Sequence, residues 1–239
     1  MDSRLINGLK EFNIELSDKQ TKQFHQYYDL LVEWNSFMNL TAITEWEEVV
    51  TKHFIDSLSL IKVVEDLKDK PYKIIDIGTG AGFPGIPLKI AFPNLKITLM
   101  DSLNKRVKFL NEVIDKLGLE DIEAVHARAE EMGQNSKYRE TYDIAVSRAV
   151  ANMTVLSELC IPFVTVEGKF ISYKSSKIDE EYTMAKNAIG ILGGEYLEQI
   201  EFDLPDSDIY RNMFVIKKIK VTPKKYPRKP GTPAKEPLS

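Results

Sequence analysis

Residues 76–88 read DIGTGAGFPGIPL, with Gly78, Gly80 and Gly82 at alternate positions directly behind an apolar run that ends in Asp76. Glycine interrupts helices and strands alike, so this spacing marks a backbone that turns tightly or admits something very close. The glycines alone leave a ligand loop and a plain turn equally open. Downstream, short β-branched runs alternate with helical patterns: strands are expected at 72–77, 95–101, 122–127, 142–147 and 168–174, and helices at 84–92, 103–117, 152–162 and 178–192. Repeated βα units predict an α/β fold, a mostly parallel sheet with helices on both faces. Segments 195–205 and 211–220 lack an intervening helix and read as an antiparallel strand pair.

Upstream the texture is helical. Ser17 with Gln20 forms a capping box, and Phe24, Tyr27, Leu31, Trp34 and Met38 recur at steps of three and four, a core-facing stripe. A second short helix is expected at 46–60, and EDLKDKP at 65–71 is a polar connection. The expected organisation is a helical segment, 1–68, packed on a domain of residues 69–220, followed by a basic, proline-rich and extended tail, 221–239.

With 239 residues, 43% hydrophobic and 28% charged, the chain is large enough to bury a real core. No run approaches the roughly 20 apolar residues of a membrane span, and the amino terminus has no signal-peptide pattern, so the expected location is the cytoplasm. One cysteine, Cys160, excludes an internal disulfide, and His25, His53 and His126 offer no metal-ligand spacing, so no metal is expected. The net charge is −4, yet residues 217–235 carry eight cations and no acid, leaving −12 for the rest. That polarity fits either an anionic partner touched locally or a solvated tail.

In an open parallel sheet a ligand binds beyond the carboxyl ends of the strands, and the first βα turn commonly supplies a glycine loop. The NAD-type fingerprint is G-x-G-x-x-G. Here the spacing is G-x-G-x-G with an acid two residues ahead, which fits S-adenosylmethionine methyltransferases. Asp101, closing the second strand 25 residues beyond Asp76, is placed to accept from ribose hydroxyls. An N-cap or first-turn charge is its other reading.

The chain resembles the bacterial RsmG (GidB) family over nearly its whole length: LLVEWNSFMNLTAIT and HFIDSL near the front, then DIGTGAGFPGIPLKI, DSLNKRVKFL, RAEE, SRAV and RNMFVIKKIKVTPKKYPRKPGTP. The resemblance implies a Rossmann-like class I methyltransferase with an N-terminal helical extension, acting on N7 of a guanine in the decoding-region loop of 16S ribosomal RNA; a monomer is expected, though the sequence itself does not give the oligomeric state. It implies S-adenosylmethionine contacts at Gly78 and Phe83, alongside Asp76, Gly80, Gly82 and Asp101. Ala129 and Glu130 would edge the adenine, and Arg148 would sit at the pocket mouth. Asn39, His53 and Asp56 would line that mouth. Lys174 and Arg211 lie where the sheet edge can meet phosphate, or are solvated charges. Lys224, Lys225, Arg228 and Lys229 are the expected RNA contacts, with Tyr226 as a stacking ring.

Candidates for a catalytic role are Asn39, His53, Arg148 and Lys174. None is demanded by the chemistry, because N7 already presents an in-plane lone pair and alignment supplies most of the catalysis. There is no [D/N]-P-P-[Y/F] tetrapeptide and no Pro-Cys nucleophile, and Cys160 reads as a small buried side chain. The competing readings are a methyltransferase acting on tRNA or a small molecule, a non-catalytic ribosome-assembly protein, and a nucleotide-dependent oxidoreductase.

Overall fold

A computed structural model describes residues 3–148, 151–176 and 178–238. Two helices lead, α1 (Ser3–Lys10) and α2 (Asp18–Met38). The expected capping box starts α2: Ser17 Oγ accepts from Gln20 N and Gln20 Oε1 accepts from Ser17 N. Asn39, in the left-handed conformation with φ 51°, ends it. The single helix expected at 46–60 is instead a composite, in which α3 (Trp46–Val49) passes through a π-helical turn, Val50–Ile55, into α4 (Asp56–Leu58). Such widened turns recur at functional sites, and this one carries His53.

The α/β portion follows the expected alternation: β1 (Lys73–Ile77), α5 (Gly85–Ala91), β2 (Lys96–Asp101), α6 (Asn104–Leu117), β3 (Ile122–His126), the short α7 (Ala129–Met132), β4 (Tyr142–Arg148), α8 (Met153–Cys160), β5 (Val164–Lys174), α9 (Asp179–Ile191), β6 (Gly194–Asp203) and β7 (Tyr210–Lys218). The seven strands lie in the order β3-β2-β1-β4-β5-β7-β6. The first five are parallel and β7 runs antiparallel to both neighbours, as the missing crossover helix requires. Chain progression reverses between β1 and β4, so the crevice at their carboxyl ends is where a ligand is expected.

Neighbouring strand residues feed opposite faces. Ile74 joins a core with Phe24, Tyr27, Leu31, Phe54 and Phe109, whereas Ile75 joins one with Leu156, Phe163 and Phe214. The stripe on α2 is thus core, and its polar side chains complete other helices. Gln20 Nε2 donates to the carbonyls of Ile90 and Ala91 near the end of α5, and Gln23 Nε2 to that of Leu117 at the end of α6.

The tail is not extended. Tyr226 is buried, 6% exposed, in the second core, so it cannot stack on a base as expected from sequence. Arg139 donates to the carbonyls of Thr222 and Tyr226, Gln134 to those of Lys224 and Pro227, and Gly231 N donates to Glu130. A last short helix, α10 (Thr232–Lys235), follows. No helix among the described residues is long and apolar enough to cross a membrane.

Candidate active site

The glycine loop sits on Asp76. Its Oδ2 accepts from Thr79 Oγ1 at 2.6 Å and from Gly85 N at 2.9 Å, while its buried Oδ1 has no hydrogen-bond partner. Burial pushes this carboxyl up to about 6, against the lowering pull of the Thr79 and Gly85 bonds and of Arg148. Gly78, Gly80 and Gly82 have φ of 72°, 62° and 100°, a region that strongly favours glycine. Asp101 ties the loop to β2: its Oδ2 accepts from Gly80 N at 3.0 Å and Arg106 Nη1 at 3.2 Å, and its Oδ1 from Leu103 N at 2.9 Å. Of the four lone-pair sites of a carboxylate, one is left for a ligand. Helix α2 braces the loop from outside, where Tyr27 Oη donates to the carbonyl of Ala81 at 2.5 Å.

A second group of side chains forms a wall beside the loop. Arg148, at the end of β4, donates through Nη1 to Asp56 Oδ2 and to the carbonyl of Lys52, both at 3.0 Å, and through Nη2 to His53 Nδ1 at 3.2 Å. Arg211 Nε donates to Asp56 Oδ1 at 2.8 Å. One carboxylate is thus shared by two guanidinium groups. The His53 ring stacks on Phe83 at 4.4 Å, and the Arg148 guanidinium lies 5.0 Å from the centre of the Phe83 ring. Burial, reinforced by Arg148, holds the His53 imidazole down to about 3. Nδ1 stands between a donor, Arg148 Nη2, and an acceptor, the Lys52 carbonyl at 3.1 Å, and Nε2 lies 2.9 Å from the Thr41 hydroxyl, which can donate or accept, so both ring nitrogens are engaged in either neutral tautomer.

Cavities open on either side of this wall, and His53 and Arg148 line both. The first, about 410 Å³, is bounded by Gly78, Thr79, Gly80, Ala81, Phe83, Asp101, Ser102 and Arg106, with Leu40 and Thr41 from the front segment. The second, about 390 Å³, is bounded by Asp56, Tyr173, Lys174, Ser175, Ser176, Glu181 and Arg211, with Ile43 and Lys52. S-adenosylmethionine fits the first: its volume is in the usual range of roughly 300–1,000 Å³ for small-ligand sites, and a Cβ at Gly80 would meet no atom within 4 Å. Asp76 is buried beneath this loop and lines neither cavity, so its role is to hold the loop through Thr79 and Gly85 rather than to face a ligand.

Of the residues singled out from sequence, Gly78, Gly80, Phe83, Asp101, His53 and Arg148 line one cavity, while Asp56, Lys174 and Arg211 line the other. Gly82 lies behind the loop, packed on Ile86 and Tyr27. Asn39 lines neither cavity and serves as the end of α2, with its neighbours Leu40 and Thr41 reaching the site instead. Ala129 and Glu130 begin α7 away from both cavities, and the Glu130 carboxylate holds the tail at Gly231. Lys224, Lys225 and Lys229 are exposed. Arg228 is committed internally, its Nη2 donating to the buried Glu158 at 2.6 Å and to the Glu236 carbonyl at 2.8 Å. Ala149 and Val150 of the SRAV motif lie outside the described residues. Sequence reasoning missed Tyr27 as a brace, Arg106 and Glu181. Arg106 stands one helical turn beyond Asp101, a usable signal; Glu181 lies in the acidic first turn of α9 and gives none.

A seven-stranded sheet in this order, with one antiparallel strand and a glycine loop at the reversal point, defines a class I methyltransferase. Solved structures agree on the fold alone: M. jannaschii TYW2 in complex with AdoMet superimposes with a TM-score of 0.51 at 14% identity, over 69% of this chain and 77% of that one. TrmN from Thermus thermophilus does so at 0.51 and 15%, over 71% and 53%. The family described as GidB, rRNA small subunit methyltransferase G, matches residues 20–209. Ribosomal RNA small subunit methyltransferase G of Alkaliphilus metalliredigens is 56% identical over the full length of both chains, and that of Lachnoclostridium phytofermentans is 55% identical over 99% of this chain and 97% of its own. The chain belongs to the rRNA small subunit methyltransferase G family, and its methyl donor is S-adenosylmethionine.

Proposed function

We propose that the protein methylates N7 of a guanine in the decoding-region loop of 16S ribosomal RNA, with the methyl donor in the glycine-loop cavity and the target base in the adjoining cavity, the two meeting at the edge of His53 and Arg148. The observation that carries this reading is the wall itself, which reaches both cavities and holds no group ready to take a proton. His53 is neutral with both ring nitrogens engaged, and both Asp56 oxygens face guanidinium groups. When bound, S-adenosylmethionine supplies a methyl that the N7 lone pair takes, the electron pair of the broken C–S bond staying on sulfur and no proton being released. Gly78, Gly80 and Asp101 would hold the donor, with Asp76 fixing the loop from beneath. Phe83 and His53, stacked together, would border the place where the two cavities adjoin, past whose edge the methyl carbon and N7 come into direct contact.

The target must be splayed from its RNA stack to enter. Lys224, Lys225 and Lys229, all exposed, would meet phosphate, and Arg211 would add positive field at the cavity. Arg228 is dropped from the RNA-contacting set because its guanidinium is spent on Glu158. The same reading has the protein working in the cytoplasm as a monomer. Small subunits methylated with labelled donor, then treated with borohydride and aniline, which cleave at 7-methylguanosine, test the assignment. One cleavage, in the decoding-region loop, is the expected result. Label that survives on uncleaved RNA, or that goes to tRNA instead, contradicts it.

A further inference from the structure

We propose that Glu181 selects guanine, its carboxylate reading the N1–H and N2 amino groups from the far side of the second cavity while Lys174 reads O6. This assignment rests on the reading of that cavity as the base site. Glu181 Oε1 accepts from Lys174 Nζ at 2.7 Å and from Met153 N at 2.5 Å, which fixes the carboxylate in one orientation. Among the described residues Oε2 has no donor. Both side chains are largely shielded, 11% exposed for Lys174 and 26% for Glu181, so bonds made here count for more than bonds on open surface.

Guanine carries N7 and O6 on one edge and its N2 amino group on the other, with N1 between O6 and N2. A guanine that turns N7 to the His53–Arg148 wall therefore presents O6, N1–H and N2 progressively farther from it. An ammonium followed by an acceptor-only carboxylate is complementary to that acceptor-donor-donor sequence. Adenine reverses the first two groups, placing its amino group against Lys174 and its N1 acceptor against Glu181. The pair thus repels the wrong purine as well as attracting the right one.

The test uses the full chain and small subunits reconstituted with either guanosine or inosine at the target position, inosine lacking only the N2 amino group. Wild-type kcat/KM should favour guanosine by roughly tenfold or more, the worth of one hydrogen bond to a charged acceptor. Glu181→Gln retains an oxygen for Met153 and Lys174 but turns an amide NH₂ toward the base. It should lower kcat/KM on guanosine by a similar factor and bring the guanosine-to-inosine ratio to about one or below, with S-adenosylmethionine affinity unchanged and the melting temperature lowered because Lys174 loses its charge partner. A structural role alone would slow both substrates together, so an unaltered ratio overturns the proposal. Ser176→Trp, at the rim of the same cavity, separates the two levels. If it methylates normally, the cavity is not the base site. If it is inactive with donor binding intact while Glu181→Gln keeps the wild-type ratio, only the role of Glu181 fails.

Discussion

A methyl group added at Gly82 would stand 2.4 Å from Ile86 Cδ1 and 2.9 Å from Tyr27 Oη, whereas one added at Gly80 would meet no atom within 4 Å. The two glycines share a left-handed backbone, so alanine at either costs about 1–2 kcal/mol of strain. At Gly82, overpacking adds about 1–3 kcal/mol. Gly82→Ala should therefore lower the melting temperature more than Gly80→Ala, while Gly80→Ala, projecting into the cavity, should weaken S-adenosylmethionine binding at least tenfold by calorimetry. Normal binding by Gly80→Ala would make the loop only a turn. His53 gives a prediction in pH. The unfolded imidazole takes up a proton near 6.5 and the folded one only near 3, so the native state loses stability as pH falls through that window. His53→Gln abolishes this loss, and the stability gap should move in the variant's favour by up to about 1.4 kcal/mol per pH unit between about pH 6 and 4. A His53 ring resonance titrating near 6.5 would contradict the buried neutral assignment. Asp76, with its carboxyl raised to about 6 from 3.8, acts in the opposite sense, its contribution falling as pH rises through that interval, so the single variant rather than the whole curve isolates His53. At this scale the spacing singled out the loop glycines and Asp101, the family resemblance singled out Arg148, and the structure brings Gly78, Gly80, Asp101 and Arg148 to one cavity. The spacing could not say that Asp101 would already be bonded to Gly80, since that bond needs β2 placed beside β1.

The strands and helices of the sheet were legible within a few residues because each carries its own period and its own turn residues. The composite at 46–58 was not, since a π-helical turn leaves no mark in hydrophobic periodicity. The tail misled for a different reason. Its prolines favour extension locally, but its conformation is fixed by Glu158, Arg139 and Gln134, between 70 and 93 residues upstream. Glu158 is buried and depends on Arg228 for its charge partner. Arg228→Ala should destabilise the protein by about 3 kcal/mol in denaturant titrations, because the carboxylate is left buried and unpaired. A change under about 1 kcal/mol would mean that the tail is a loose appendage. On the opposite face, Tyr27→Phe removes the bond from α2 to the loop. It should reduce donor affinity several-fold, corresponding to about 1 kcal/mol, with the fold intact.

For the molecule as a whole, net charge and RNA binding are reconciled by geography. The site carries two arginines against one aspartate, and the exposed lysines sit on a tail held by Glu130, Gln134, Arg139 and Glu158. Deleting that tail would expose core, so substitution is the informative change. Lys224, Lys225 and Lys229 replaced together by Gln should leave melting and donor affinity unchanged, while the logarithmic salt slope of RNA binding falls by about 0.7–0.9 for each lysine that touches phosphate. An unaltered slope removes the tail from the RNA surface. The central claim is that donor and base occupy neighbouring cavities that share His53 and Arg148 at their common border, and a crystal structure with S-adenosylhomocysteine tests it most directly. The predicted density lies in the glycine-loop cavity, against Gly78, Gly80 and Asp101, with the sulfur turned toward His53 and Arg148. Density elsewhere, such as the cavity of about 360 Å³ beside Ser17 and Lys89, or a sulfur facing away from the wall, would contradict it.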